Sequence, residues 1–456
     1  MVICAAVGVI TTVARPRTDP RRPDILLIVV DTLRRDHVGA YGYPRATTPA
    51  IDDLASSNIV FTNAYPNSNW TKPSVASLFT GLYVSQHGVK QVVTDTAAAL
   101  PTTQRLPEDA TTLAEILKDQ GYYTMGVVEN VHVSAKLGFS QGFELWDEIP
   151  YGATNVTNTF LYHLDQTRRE RRGKPLFAYI HYFDPHAPYY RTRSFEGEGA
   201  VVPGLQEAKS TDYRWTTYTY GVDRGLIGLS SVERQRLVDL YDGEVRNADT
   251  GIARILATLK DERIFDDAWI IVTSDHGENF YEGRRLTHPH DCFANAQIRI
   301  PLVMKMPAAL ERKNLTVTDT VELVDIAPTI MAYLGAEQVG GMVGANLLPA
   351  ILDGQGVPGR IVIAESESGV IVLASKYKYW RVPMAAGSVE FLYDEAADPL
   401  EETNIRTVEM ATTVKLAAAY RDVTDEAKRR QTLKASGSVQ LSQDEVERMR
   451  SLGYLH

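Results

Sequence analysis

Asp31, Thr71, His186 and the Asp275–His276 pair are the residues of this chain whose types and placement could do chemistry. Asp31 closes the apolar run DILLIVVD, Asp184 and His186 follow LFAYI, and Asp275 and His276 follow DAWIIVTS. Short apolar runs rich in Ile and Val read as strands buried on both faces. In open α/β sheets, ligands bind beyond the carboxyl ends of such strands. Two acids and an imidazole converging there would be costly to bury uncompensated, and a divalent cation is the simplest compensation. Carboxylate and hydroxyl oxygens suit Zn²⁺, Mn²⁺ or Ca²⁺, and the imidazole tilts the choice toward Zn²⁺ or Mn²⁺.

Thr71 lies in NWTKPSVASLFTGLYVSQHGV, residues 69–89. Proline is tolerated in the first turn of a helix and glycine suits the position just past its end. The stretch therefore predicts a short helix from about Pro73 to Thr80, with Thr71 at or beside its N-terminus. A hydroxyl there meets unpaired N–H groups and the positive end of the helix dipole, a place for an anion and for an oxygen nucleophile. By itself the threonine is equally an ordinary N-cap.

The elements that would position these residues alternate. After DILLIVVD come a helix at Ala50–Ser57, a strand at Ile59–Thr62 and the Thr71 helix. LAEILKDQ follows a Thr111-Thr112 cap, and Tyr122–Val128 is a strand. Ser231–Lys260 keeps a helical period, Ile300–Met304 is a strand and Val324–Leu334 a helix. Helices alternating with apolar strands imply an α/β fold with a large, mostly parallel sheet covered on both faces. Residues 191–230, rich in Gly, Tyr and Thr, read as a long surface insertion over the site. After Pro358, IVIAE, VIVLAS, KYKYWRV and EFLYD form a small antiparallel sheet, and a charged helical tail runs from Val408 to His456. The predicted division is an N-terminal segment 1–23, a catalytic domain 24–357, an antiparallel subdomain 358–406 and a helical tail 407–456.

The chain has 456 residues, 44% of them hydrophobic and 23% charged, which fits a globular protein with a substantial core. A formal charge of −10 argues against a nucleic-acid-binding surface, which needs a basic stripe. It leaves room for an anionic ester as substrate, since a bound cation reverses the local field. Cys4 and Cys292 form no metal-type spacing and no disulfide framework. Val2–Ala14 is apolar but too short to span a bilayer, and its arginines follow it, the reverse of a secretory signal. We read it as a remnant export or anchoring segment, with an atypical signal or a frayed end as alternatives. On the first reading the protein is extracytoplasmic or attached to a membrane.

Five ordered stretches resemble one family. VVDTLRRDHVGAYGYPRATTPAIDDLA, the Thr71 stretch, HYFDPHAPY, TSDHGENFYEG…THP and FLYDEAADPLEETNI are similar to landmarks of sulfatase-like hydrolases of the alkaline phosphatase superfamily. The terminal SLGYL is also similar to bacterial members. The resemblance spans about Asp24 to Asn404 and implies an alkaline-phosphatase-like sheet. It makes Asp31, Asp275 and His276 metal ligands and Thr71 the nucleophile, also touching the metal. His186 contacts the substrate anion or handles the leaving group. His288 matches a basic residue beyond the Asp-His-Gly motif, with His290 the alternative contact. Asp184 would orient His186, and Thr32, Lys72 and Asn130 are candidate substrate neighbours. His37, His87, His132 and His163 read as structural.

The departures narrow the resemblance. True sulfatases place a cysteine or serine, converted to formylglycine, where Thr71 stands, and an arginine where Val75 stands. Threonine cannot become that aldehyde, so no formylglycine is expected. Thr32 replaces the second acid of the family's first pair, and VVENVH at Val127–His132 replaces a lysine-tryptophan-histidine segment. The resemblance then points to the threonine-nucleophile branch, with its phosphodiesterases, phosphatases and phosphoethanolamine- or phosphoglycerol-transferases. We expect a metal-dependent hydrolase of phosphate mono- or diesters acting through Thr71 and a covalent phospho-enzyme. The rivals are a transferase, a sulfuric ester hydrolase and a non-catalytic metal-binding member of the family.

Overall fold

The computed structural model describes residues 22–451, apart from 91–92, 97–98, 151, 172, 190–194, 196–213, 311–313, 358–359, 431–432 and 434–436. The apolar N-terminal segment and all of the terminal SLGYL but Ser451 lie outside the described residues, as does most of the insertion at 191–230.

Eight strands form the central sheet: β1 Ile25–Val30, β2 Ile59–Tyr65, β3 Tyr123–Val128, β4 Leu145–Glu148, β5 Leu176–Tyr182, β6 Trp269–Thr273, β7 Ile300–Lys305 and β8 Leu315–Glu322. Their order is β8-β2-β7-β6-β1-β5-β3-β4. Only β7 runs against its neighbours, β2 and β6; the other pairs are parallel. The sheet is mixed and mostly parallel, as the alternation of helices and apolar runs implies.

Alternate side chains of β1 enter different cores. Leu26, Ile28 and Val30 join one cluster, and Ile25, Leu27 and Val29 the other. A strand buried on both faces can be apolar at every position, which is why ILLIVV reads as a run rather than an alternation. Helix α1, Thr71–Thr80, covers the second face with Val75, Leu78 and Phe79. Helices α2, Ala153–Gln166, and α4, Ser231–Asp261, cover the first with Val156, Phe160, Ile252 and Ile255. Between these two helices α3, Arg214–Asp223, emerges from the insertion.

Strands β9 Ile361–Ser366, β10 Gly369–Ala374, β11 Tyr377–Met384 and β12 Gly387–Asp394 form an antiparallel meander. Helix α5, Met410–Arg430, packs Leu416 against Val372, Tyr379 and Leu392 of that sheet. The tail beyond it is not wholly helical. Ser438–Gln440 is a strand that pairs with Ala99–Gln104, and the helix Gln443–Ser451 follows. Three residues are too short to show a period, and their partner is remote in sequence, so this strand left no local signal.

Candidate active site

Four neighbouring parallel strands deliver the polar residues. Asp31 follows β1, Asp275 and His276 follow β6, His181 lies near the end of β5, and Asn130 lies just beyond β3. The Asp31 N–H donates to Tyr182 O at 2.9 Å, tying the ends of β1 and β5 together. Thr32 then turns with φ 56°, a left-handed conformation costing a β-branched residue about 1–3 kcal/mol. That turn lets its N–H reach Asp275 Oδ1 at 3.2 Å while its carbonyl accepts from Tyr241 OH at 2.8 Å.

Asp31, Asp275 and His276 each present one ligand atom, all within 4.8 Å of one another. Asp275 Oδ1 also accepts from the His276 N–H, leaving Oδ2 buried without a hydrogen-bond donor. Asp31 Oδ2 accepts from Asn130 Nδ2 at 2.5 Å, and Oδ1 is likewise left over. His276 Nδ1 faces Gly277 O at 2.9 Å. A carbonyl can only accept, so Nδ1 carries a ring proton, and Nε2 is the nitrogen that faces the acids. Burial, then the neighbouring Asp275, push the Asp31 carboxyl well above the usual range. Two adjacent buried acids with orphaned oxygens and an imidazole nitrogen among them fit a divalent cation.

Thr71 Oγ1 lies 3.2 Å from His276 Nε2 and 3.5 Å from Asn130 Nδ2. The helix begins at Thr71 itself, with Trp70 as its N-cap, so the hydroxyl stands in the first turn. The loop before it is pinned by Asn69, whose Nδ2 donates to Cys292 O at 2.7 Å and Gln297 Oε1 at 3.1 Å. Gly277 donates to Gln297 O at 2.6 Å, and a Cβ there would meet Ala296 O at 2.0 Å. Glycine is required for the Asp-His-Gly turn to approach that closely.

The ring of His288 lies 4.7 Å from His276 and 4.8 Å from His186. Its Nδ1 is 3.1 Å from Glu278 Oε1, and Tyr189 OH donates to Glu278 Oε2 at 2.7 Å. Burial pushes His288 down to about 4, against the pull of Asp275, and pushes Glu278 up to about 8. His290 instead stacks on Trp70 at 3.8 Å. The structure thus sets His288 beside His276 and His186, and His290 on the tryptophan.

His186 rests on Phe183 with ring centres 4.4 Å apart, and its Nδ1 faces Ala187 O at 2.5 Å. Asp184 Oδ2 accepts from Ala153 N–H at 3.0 Å and Asn247 Nδ2 at 2.6 Å, fastening the loop to α2 and α4. Lys72 directs its amine to Thr103 Oγ1 at 2.5 Å. His37 binds Asp242, His87 binds Ser77 and His163 binds Asp147, all as structural contacts.

His186, His288, Trp70 and His290 form part of the lining of a cleft of about 600 Å³, with Trp215 and Tyr220 of α3 among the facing residues. Two residues at the centre went unread in the sequence. His181 Nε2 lies 3.4 Å from Asp31 Oδ2, with Nδ1 2.7 Å from Tyr179 OH. Burial pushes it down to about 4. Its one signal is a lone imidazole inside the apolar run LFAYIHY. Glu278 follows the Asp-His-Gly turn directly and carried no spacing of its own.

A family model described as Sulfatase matches residues 23–336. The chain belongs to the sulfatase family. It is 26% identical over 404 residues to the multifunctional alkaline phosphatase superfamily protein PehA of Trinickia caryophylli, covering 73% of this chain and 78% of that protein. It is 22% identical over 424 residues to the delta 4,5-hexuronate-2-O-sulfatase of Bacteroides thetaiotaomicron, covering 84% of each. The fold is similar to the crystal structure of the phosphonate monoester hydrolase of Agrobacterium radiobacter. That match has a TM-score of 0.66 and 19% identity, over 92% of this chain and 100% of that one. The protein is therefore a hydrolase of the sulfatase family acting on ester bonds, with the alkaline-phosphatase-like fold its motifs imply.

Proposed function

We propose that this hydrolase cleaves phosphate mono- or diesters with Thr71 as its nucleophile. The observation that carries the reading is the Thr71 hydroxyl, 3.2 Å from His276 Nε2 in a pocket with two orphaned carboxylate oxygens. Asp31, Asp275, His276 and Thr71 would hold a divalent cation, with Zn²⁺ or Mn²⁺ fitting the imidazole and Ca²⁺ also fitting the oxygens. Such a cation lowers the pKa of the hydroxyl and balances charge on the ester oxygens.

The chain's own groups do the rest. Thr71 Oγ1 gives its proton to solvent water and forms a bond to phosphorus, while the bond from phosphorus to the leaving oxygen breaks. The N-terminus of α1 and the Asn130 amide favour the anion at Thr71. His186 delivers a proton to the leaving alkoxide, and His288, held by Glu278, faces the ester oxygens. Water then attacks the phospho-threonine and breaks its bond to Thr71 Oγ1, which takes a proton from that water; a monoester yields phosphate and a diester yields a phosphomonoester. A second reading, sulfuric ester cleavage by the same hydroxyl, draws on the relatives named as sulfatases.

The test is a three-substrate assay on metal-stripped protein: an aryl phosphate, a bis-aryl phosphate and an aryl sulfate. Zn²⁺, Mn²⁺ and Ca²⁺ are restored separately, with Thr71→Ala alongside. Metal-dependent phosphoester cleavage that disappears in the alanine variant is the expected result. Faster cleavage of the sulfate would replace it with the second reading.

A further inference from the structure

Residues 438–451 return to the active site from the far end of the sequence. Val439 pairs with Thr103, on the strand that also receives the Lys72 amine. The Leu441 N–H donates to Pro101 O at 2.8 Å, and Glu445 forms an ion pair with Lys136. Ser442 accepts from the Glu445 N–H at 3.3 Å, capping the helix that follows. Leu441, Val446 and Met449 then bury themselves in one apolar cluster with Trp70 and Phe183.

Those two rings carry the histidines of the site. Trp70 precedes Thr71, stacks on His290 and lies 5.0 Å from the His288 ring. Phe183 stacks on His186. The Asp31, Asp275 and His276 ligands belong to different elements, at the ends of β1 and β6.

We propose that Leu441, Val446 and Met449 are positioning residues: they fix Trp70 and Phe183, and through them the rings of His186, His288 and His290. The proposal rests on the reading of His186 as the group that serves the leaving oxygen. Interiors are close-packed, so a side chain deleted behind an aromatic ring leaves that ring free to shift. A proton donor displaced by about 1 Å can cost on the order of a hundredfold in rate. Asp31, Asp275 and His276 keep their own strands throughout.

The experiment compares metal-loaded full-length protein with Met449→Ala, Met449→Leu and Glu445→Lys. The substrates are aryl esters of graded leaving-group pKa, phosphate or sulfate according to which the unmodified protein cleaves. Met449→Ala should lose roughly tenfold in kcat on the poorest leaving group and less on the best. Its metal content should stay intact, and Met449→Leu should recover the rate. An equal loss across the series, or none, overturns the proposal. Should Met449→Ala fail to fold, Glu445→Lys decides, because it removes the ion pair without opening a cavity. An unchanged dependence on leaving group in that variant is the overturning result. Ring signals of His186 and His288 in NMR give a readout independent of turnover. They should move in Met449→Ala and return in Met449→Leu. Unmoved signals overturn the proposal even where no ester is cleaved, whereas moved signals without turnover leave the proposal standing and remove only the reading of the chemistry.

Discussion

Asp31, Thr71, Asp275 and His276 have no exposed surface and sit at strand ends or in the first turn of a buried helix. Trp215, Asp223, Arg224, Arg285 and Asp291 face the cleft from α3 and from the loop around residue 288, and all but Trp215 keep contact with solvent. The first group is held by the ends of the paired strands β1 and β6 and by the first turn of the buried helix α1. The second is held by contacts such as the Arg285–Asp291 ion pair, partly exposed at 2.5 Å and worth only about 0–1 kcal/mol. The contrast separates two tasks. On the proposed reading, bond-breaking groups, which need fixed geometry, sit on the rigid frame, and groups that meet the variable part of a substrate sit where the chain can change.

Substitutions in the rigid corner should therefore be severe and specific. On the proposed reading, Thr71→Ala removes the nucleophile and should lower kcat roughly ten-thousand-fold or more, by analogy with other nucleophile deletions. Steady-state assay with unchanged metal content would separate this from loss of the cation. Asp275→Asn should act differently, by weakening the metal. Its occupancy, measured by elemental analysis after dialysis, should fall, and excess Zn²⁺ or Mn²⁺ should restore part of the rate. Chelation of the unmodified protein should lower the melting temperature, because a ligand bound only to the native state stabilises it. Stripped protein that melts no earlier would count against a cation between Asp31 and Asp275.

The same contrast explains what the sequence made legible. The strands β1 and β6 are apolar runs and β5 is one broken only by His181, so their ends and the acids beyond them stand out. The Thr71 helix is bracketed by Pro73 and Gly81, which mark it locally. His181 is harder to read, because its meaning depends on β5 lying beside β1, a pairing between residues far apart in sequence. The same holds for Ser438–Gln440 on Ala99–Gln104, and for β8, whose LTVTDTVE mixes buried and exposed positions at the sheet edge. Helix α3 arises within a stretch of aromatic and hydroxyl residues that shows no helical period. What local pattern encodes was visible; what only tertiary contact decides was not.

His186 stands on the boundary between the two regions, and His186→Ala should cost on the order of a hundred- to ten-thousand-fold in kcat. The loss should grow as the leaving group becomes more basic, since a good leaving group needs no proton. A uniform loss would instead assign His186 to binding the ester anion.

The cleft wall should respond least. Trp215 is buried against Tyr189 and Tyr218 with ring centres 6.3 and 6.0 Å away, and it also lines the cleft. Trp215→Ala should leave kcat on a minimal aryl ester within about threefold, because the nucleophile and His186 are untouched. On substrates with a bulky leaving group KM should rise roughly tenfold, the scale of one lost apolar contact surface. Measuring kcat and KM separately on a small and a large ester decides the matter. A fall in kcat on the small ester would mean that α3 takes part in the chemistry, and the division between rigid corner and adaptable wall would not hold. A KM effect confined to the large ester would instead locate substrate choice on helix α3, which the insertion contributes to the cleft.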